Sequence, residues 1–237
     1  MNPLNCKMNK FLKLAQPPEK TLYSGDDLLW NSLAENNHMQ FPDDYLELIR
    51  NYGLCDIADF LWMPNPFVGS LSSNIFALQQ TWKQLFLIDF RETQIARKYA
   101  DLYKNDLLLP CLSTANMDMF FWLCTENIPN EWKIIGISSD FEEYCEYPST
   151  LLDMMIDLLE NKHQVPFFPE DFNDSGEASV AIVNEKVLSE HLLAQYPFPL
   201  KTKGINPYPR HSREGGNPRP SQTSNPPSNR LFQNGST

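Results

Sequence analysis

Histidine and cysteine are the residues of this chain whose chemistry could support a nucleophile or a metal ion. The four histidines are scattered over predicted loops and the C-terminal part of the sequence: His38, His163, His191 and His211. A serine or cysteine nucleophile needs a base within hydrogen-bond reach, and the sequence has no Gly-x-Ser-x-Gly elbow that would mark such a serine. We therefore expect no catalytic residues and no enzymatic activity.

The cysteines lack the spacing of metal ligands. There are five, at irregular intervals: Cys6, Cys55, Cys111, Cys124 and Cys145. Without a Cys-x-x-Cys or His-Glu-x-x-His pair the sequence offers no zinc site, so we expect no metal and no cofactor. Cys111 and Cys124 lie in apolar, strand-like runs, which predicts buried, inert thiols.

Two other ligand-binding patterns are incomplete. The segment 171–176 resembles the first half of a calcium loop, but its twelfth position is Ile182 instead of the bidentate glutamate. It therefore predicts an ordinary polar turn. The single Gly-Gly pair, Gly215 and Gly216, lies in the C-terminal tail, so no phosphate-binding loop is predicted.

Charge is the strongest functional signal in the composition. The chain of 237 residues has a formal net charge of -11, and its first 200 residues carry 29 acids against 13 bases, a net of -16. Such a body repels phosphate backbones and anionic lipid headgroups. We therefore expect no nucleic-acid or membrane-surface binding, and a basic protein as the partner.

Cysteine usage and hydropathy bear on the compartment. The odd cysteine count and the lack of an apolar secretion signal at the N-terminus predict reduced thiols in the cytoplasm. The longest apolar runs, residues 85–88 and 119–124, fall far short of the roughly 18 residues that span a bilayer. No membrane span is expected.

One acidic cluster combines charge with aromatic residues, which is the composition of an interface with steering charges and rigid anchors. Its acids are interleaved with Phe141, Tyr144 and Tyr147. The predicted partner-binding residues are Asp140, Glu142, Glu143, Tyr144 and Glu146. The alternative is a solvated face, and a hydrolase that uses Glu142 or Glu143 as one of two paired carboxylates is a further alternative.

A second acidic cluster opens a predicted helix. Asp43, Asp44 and Glu47 lie in the first turns of that helix, where acids favour the helix dipole. We expect this cluster to be a solvated helix start.

Helical periodicity marks the first half of the chain. Helices are predicted at residues 8–15, 26–36 and, after Pro42 and before Gly53, at 42–52. Residues 74–103 predict one long or two broken helices. Trp30 and Trp82 lie on apolar helical stripes and are expected in the core.

The pattern then changes to short β-rich runs. Strands are predicted at residues 60–63, 107–112, 119–124, 132–137 and 142–147. Trp62 and Trp122 in these runs fit either a core position or an interface anchor. Ser149 is expected to cap a helix at 151–161, and a strand at 178–183 and a helix at 185–195 follow.

This order predicts an α+β fold, with an antiparallel or mixed sheet and helices packed on one side. We divide the chain into an N-terminal segment (1–23), an α+β domain (24–165), a C-terminal extension packed on that domain (166–200) and a tail (201–237). The tail has six Pro, four Gly, six basic residues and one acid, a composition typical of disorder.

Three segments resemble the SUKH superfamily, the Smi/Knr-type fold. They are Leu29-Trp30, then Phe41-Pro42-Asp43-Asp44-Tyr45 with Tyr52-Gly53, and the strand block from Leu108-Leu109-Pro110 through Met119-Phe120-Phe121-Trp122 to Trp132-Lys133-Ile134-Ile135, which ends at the Ser149 helix. The resemblance covers about residues 24–165. It does not extend to the helical region around 75–103 or to the chain after 165.

The resemblance implies a SUKH-like α+β binding module. Many bacterial members act as immunity proteins that neutralise a toxin of a polymorphic or contact-dependent system, often a nuclease with a basic active site. The resemblance therefore implies an immunity protein that occludes a cognate, basic protein toxin. The alternative is a housekeeping protein-interaction scaffold of the Smi/Knr type without a toxin partner. The segment 211–218 resembles translated read-through of an interspersed bacterial repeat, which implies no selected function for the tail.

Overall fold

The computed structural model describes residues 2–88, 90–173, 176 and 178–183. These residues form an α+β fold, an antiparallel sheet of seven strands with seven α-helices packed on it, which confirms the predicted fold class. The helices are α1 (Pro3–Leu14), α2 (Asp27–Asn37), α3 (Asp43–Tyr52), α4 (Ile75–Ile88), α5 (Gln94–Lys98), α6 (Ala100–Lys104) and α7 (Leu151–Leu159). The strands are β1 (Cys55–Ile57), β2 (Leu61–Trp62), β3 (Leu108–Thr114), β4 (Met119–Leu123), β5 (Lys133–Ile137), β6 (Tyr144–Tyr147) and β7 (Val180–Ile182).

The strands follow the order β6-β5-β4-β3-β2-β1-β7, and every neighbouring pair is antiparallel. The register of β3 on β4 shifts between Pro110 and Leu112. Proline has no N–H to give to a neighbouring strand, so a bulge is the position where a central strand tolerates it. The strands β6 and β7 form the two edges.

Side chains of β4 alternate between two hydrophobic clusters, because successive residues of a strand point to opposite faces. Phe120 and Trp122 join the cluster that contains residues of α1, α3 and α7. Met119 and Phe121 join a second cluster on the opposite face. Both faces of the central strands are therefore buried.

Helices cover both faces of the sheet, whereas the sequence predicted them on one side. The segment predicted as one long or two broken helices forms α4, α5 and α6, whose Trp82, Ile95 and Tyr103 lie in one hydrophobic cluster with Phe121. A second helical layer therefore covers the opposite face. This second layer forms because β4 and β5 carry apolar side chains on both faces. A single layer of helices could bury only one of these faces.

The helix α3 follows its sequence signals closely. Proline at position 42 immediately precedes it, and Gly53 ends it with φ 61°. A Cβ at position 53 would lie 1.9 Å from the Leu22 carbonyl oxygen, so both the backbone angle and the space require glycine. Its buried side chains include Tyr45 and Leu48.

The expectation of a solvated acidic cluster at this helix is wrong for one residue. Asp43 is exposed, whereas Asp44 is only 4% exposed. The Asp44 carboxylate accepts hydrogen bonds of 2.8 Å from the N–H groups of Tyr45 and Leu152. Asp44 therefore satisfies an N–H in the first turn of α7, 108 residues away, which the sequence pattern does not reveal.

Both ends of the described chain join this architecture. From segment 1–23, α1 buries Phe11 against Tyr52. From segment 166–200, β7 pairs with β1. The predicted helix at 185–195 and the tail at 201–237 lie outside the described residues.

Candidate partner-binding surface

Three of the predicted partner-binding residues lie in the turn between β5 and β6. This turn is closed by the Ser138 N–H, which donates to the Glu143 carbonyl at 3.0 Å. The Asp140 carboxylate accepts from the Ser138 hydroxyl at 2.6 Å and from the Glu142 N–H at 3.0 Å. These bonds, the Ser138 hydroxyl first, lower the pKa of Asp140. Asp140 therefore orders the turn as well as charging it.

Phe141 anchors the same turn in the core. It is buried, with a φ of 62°, and its ring stacks on Phe90 at 3.9 Å and on Trp82 at 5.1 Å. A positive φ is unfavourable for a bulky residue, and the burial of a whole aromatic ring offsets this cost. The turn is therefore fixed to the second hydrophobic cluster, and its neighbours Glu142 and Glu143 are held exposed at the surface.

Tyr144 and Glu146 lie on one face of β6, next to α5. The Lys98 ammonium lies 2.8 Å from the Glu146 carboxylate, 3.0 Å from the Tyr144 hydroxyl and 4.1 Å from the centroid of the Tyr144 ring. The hydrogen bond from Lys98 is the main reason that the pKa of Glu146 is lowered. The charge of Glu146 is thus compensated within the protein.

The structure therefore brings all five predicted residues to one end of the sheet but gives them different roles. Asp140 and Glu146 are engaged with groups of this chain, and Tyr144 is 38% exposed. Within the described residues, Glu142 and Glu143 form no ion pair. These two carboxylates are the ones available to a cationic partner.

A second surface, which the sequence analysis missed, is apolar. Residues 22–29 contain four of the eight large apolar side chains that the described part of the chain exposes, and Leu28 is 79% exposed. Trp30 fixes this segment by packing on Phe67 at 4.6 Å, while Asp26 caps α2. Three of the four exposed side chains are leucines, and the segment is a second candidate interaction surface. The sequence feature that could have revealed this surface is Leu28, an apolar residue that lies off the apolar helical face containing Trp30 and Leu33.

The cysteines and tryptophans that the sequence singled out are wholly or partly buried. Cys111 is fully buried, as expected, and burial raises its pKa; burial also raises the pKa of the partly buried Cys124 to about 12. Both thiols are therefore protonated at neutral pH. Trp62 and Trp122 are buried, which decides between their two predicted positions in favour of the core.

The described residues contain no group of three or more His, Cys, Asp or Glu side chains placed to hold a metal ion. A pocket lined by Gln79, Trp82 and Asp106 encloses about 10 Å³, enough for one water molecule. No helix in the described ranges is both long and apolar enough to cross a membrane.

Comparison with known proteins gives no assignment: no family model, curated protein or solved structure matches the chain. The resemblance to the SUKH superfamily stays a prediction that rests on its motif residues. In the structure these residues meet around Tyr45, whose ring lies 6.2 Å from Trp30 and 5.0 Å from Trp122. These three aromatic motif residues are part of the core, whereas the motif residues Leu29 and Asp43 are exposed.

Proposed function

We propose that this chain is a cytoplasmic immunity protein of the SUKH type, which binds a cognate, basic toxin domain and neutralises it by occlusion, without catalysis. The observation that carries this proposal is the surplus of carboxylates. Eight lysine and arginine side chains in the described residues already form ion pairs with carboxylates of this chain. The first 200 residues contain 29 acids and only 13 bases. Within the described residues, most exposed acids form no ion pair with a lysine or arginine.

The turn at 138–143 is the part of this acidic surface best suited to a contact. Its backbone is ordered by Ser138 and Asp140, and Phe141 fixes it to the core. A rigid turn loses little conformational entropy when a partner binds. Glu142 and Glu143 therefore steer a basic partner, and Tyr144 supplies an exposed aromatic contact beside them.

Occlusion needs a covered surface and no reactive group. A basic active site that binds phosphate attracts carboxylates by the same electrostatic field. A partner seated on the 138–143 turn would thus have its cationic site blocked by fixed negative charges. The segment 22–29 offers an apolar contact of the kind that adds affinity to such charge pairing.

Co-expression tests the proposal. The full chain is expressed together with the product of the gene immediately upstream of its own, and growth and complex formation are measured. We expect the upstream product to be toxic alone, and the full chain to restore growth and to elute with it in one size-exclusion peak. A non-toxic upstream product, or a toxic one that neither binds nor is neutralised, contradicts the proposal. Capture of an endogenous protein without protection favours the scaffold alternative.

A further inference from the structure

The strand β6 leaves one row of backbone groups without a partner strand. Among the strands of the described residues, it forms an edge of the sheet and pairs only with β5. The bond from the Ser138 N–H to the Glu143 carbonyl fixes the alternation of this antiparallel pair. Cys145 and Tyr147 therefore direct their N–H and C=O groups toward β5, whereas Tyr144 and Glu146 direct theirs outward.

These outward groups are accessible. Among the described residues, no other backbone group bonds to the N–H or C=O of Tyr144 or Glu146. The side chains of both residues are exposed on the face next to α5, and Lys98 contacts them on that face and does not cover the edge through backbone bonds. The edge therefore offers two donors and two acceptors in the geometry of a missing strand.

We propose that the partner contributes an extended, basic segment that pairs with β6 as an eighth strand of the sheet. This inference rests on the proposed function and specifies its mode of binding. Backbone hydrogen bonds to Tyr144 and Glu146 hold the segment, and lysine or arginine side chains contact Glu142 and Glu143 at the end of the strand. Strand addition to an exposed sheet edge is an established way of binding an extended peptide.

Charge favours this occupant over a second copy of the chain. Pairing β6 with another β6 would bring the unpaired carboxylates of Glu142 and Glu143 from two copies to the same edge. Like charges on neighbouring strands are destabilising, and charged edge strands are a common protection against self-association. The same acids attract a basic strand.

Two substitutions at one position separate the backbone contact from the side-chain contact. Glu146→Pro removes an outward N–H and places a ring at the edge, while the bonds of Cys145 and Tyr147 to β5 remain; proline is tolerated at such edge positions. Glu146→Ala removes the same carboxylate but keeps the N–H. Circular dichroism and thermal unfolding of both full-length variants establish that each is folded.

The probe is a synthetic octapeptide of alternating lysine and valine, titrated into the full-length protein and followed by NMR of the backbone amides. We expect chemical-shift changes at the Tyr144 and Glu146 amides of the wild-type protein. The dissociation constant of the peptide should be at least about tenfold higher for Glu146→Pro than for Glu146→Ala. The same peptide N-methylated at every residue should not bind, because neither of its edges keeps a backbone donor. The comparison of the two peptides uses only the wild-type protein, so it tests strand addition even if Glu146→Pro does not fold.

Equal binding of both variants, or binding of the N-methylated peptide, overturns strand addition. So does slow hydrogen exchange at the Tyr144 and Glu146 amides in the protein alone, since this would show that the edge is already paired. Binding of the toxin itself separates a failure of strand addition from a failure of the proposed immunity function. If the toxin still binds and is neutralised by Glu146→Pro as by Glu146→Ala, the edge inference fails while the immunity function stands.

Discussion

Asp44 shows how a residue can be misjudged from its neighbours in sequence. Acids at positions 43, 44 and 47 follow the pattern of a solvated helix start, yet Asp44 is buried because its carboxylate binds the Leu152 N–H. Burial raises the pKa of Asp44, and the two backbone hydrogen bonds oppose this rise. A contact across 108 residues leaves no trace in local periodicity.

Replacing Asp44 by alanine should therefore lower the free energy of unfolding by about 2 kcal/mol, because two N–H groups lose their acceptor in a buried site. The matched change Asp43→Ala, at an exposed carboxylate one residue earlier, should cost less than about 0.5 kcal/mol. Urea unfolding of both variants measures the difference. Equal effects would show that Asp44 has no special role in joining α3 to α7.

Asp56 gives a pH-dependent prediction. Burial, reinforced by the charge of Asp59, raises the pKa of Asp56 to about 6, and its Oδ1 has no hydrogen-bond partner among the described residues. Between about pH 4 and pH 6 the folded state keeps a proton that the unfolded state has lost, so this group makes stability fall as pH rises.

In Asp56→Asn this contribution is absent. The free energy of unfolding of the variant minus that of the wild type should increase from pH 4 to pH 6 and stay constant above about pH 6. Urea unfolding across this pH range, with both proteins in the same buffers, provides the measurement. A difference that is constant over the whole range would mean that the carboxyl has an ordinary pKa.

At the scale of elements, the sequence predicts helices with clear start and stop residues best. Pro42 and Gly53 place α3 within one residue of its observed bounds. The predicted helical segment 74–103 begins within one residue of α4, where the Asn74 side chain accepts from the Phe76 and Ala77 N–H groups, but its division into α4, α5 and α6 was not predicted. The candidate surface is only partly predictable. Its acids are visible in the sequence, but the Lys98–Glu146 pair depends on α5 lying next to β6, and the inward ring of Phe141 depends on α4 lying next to the 138–143 turn.

We expect the packing of helix α2 on the rest of the protein to depend mainly on one side chain, that of Trp30. Trp30 is buried against Phe41 and Phe67, whereas Leu28 points to solvent. Trp30→Ala should lower the free energy of unfolding by about 3 kcal/mol because it leaves a cavity between these rings. Leu28→Ala should change it by less than about 0.5 kcal/mol.

Urea unfolding and α2 amide exchange measure both effects. Loss of stability in Leu28→Ala as large as that in Trp30→Ala would show that Leu28 is covered in the protein, and would remove the segment 22–29 from the candidate surfaces.

At the scale of the whole molecule, charge and core have separate roles. The aromatic residues of the SUKH resemblance, Trp30, Tyr45 and Trp122, pack together in the core and do not indicate which face binds a partner. The excess of acids is spread over the surface and supplies the field that attracts a basic partner. Fold alone does not fix function. The proposed neutralisation of a basic toxin domain therefore depends on whether these charges drive association with the partner.

The most direct test is the association rate between the full chain and the upstream-encoded toxin domain, measured by stopped flow from about 20 mM to about 500 mM salt. We predict that the rate falls at least about tenfold over this range, because salt screens the steering field. At low salt, Glu142→Gln/Glu143→Gln should associate about threefold or more slowly than the control Glu19→Gln/Glu35→Gln, which removes the same charge from other elements. A rate independent of salt, or equal rates for the two double variants, would contradict binding steered by the 138–143 turn.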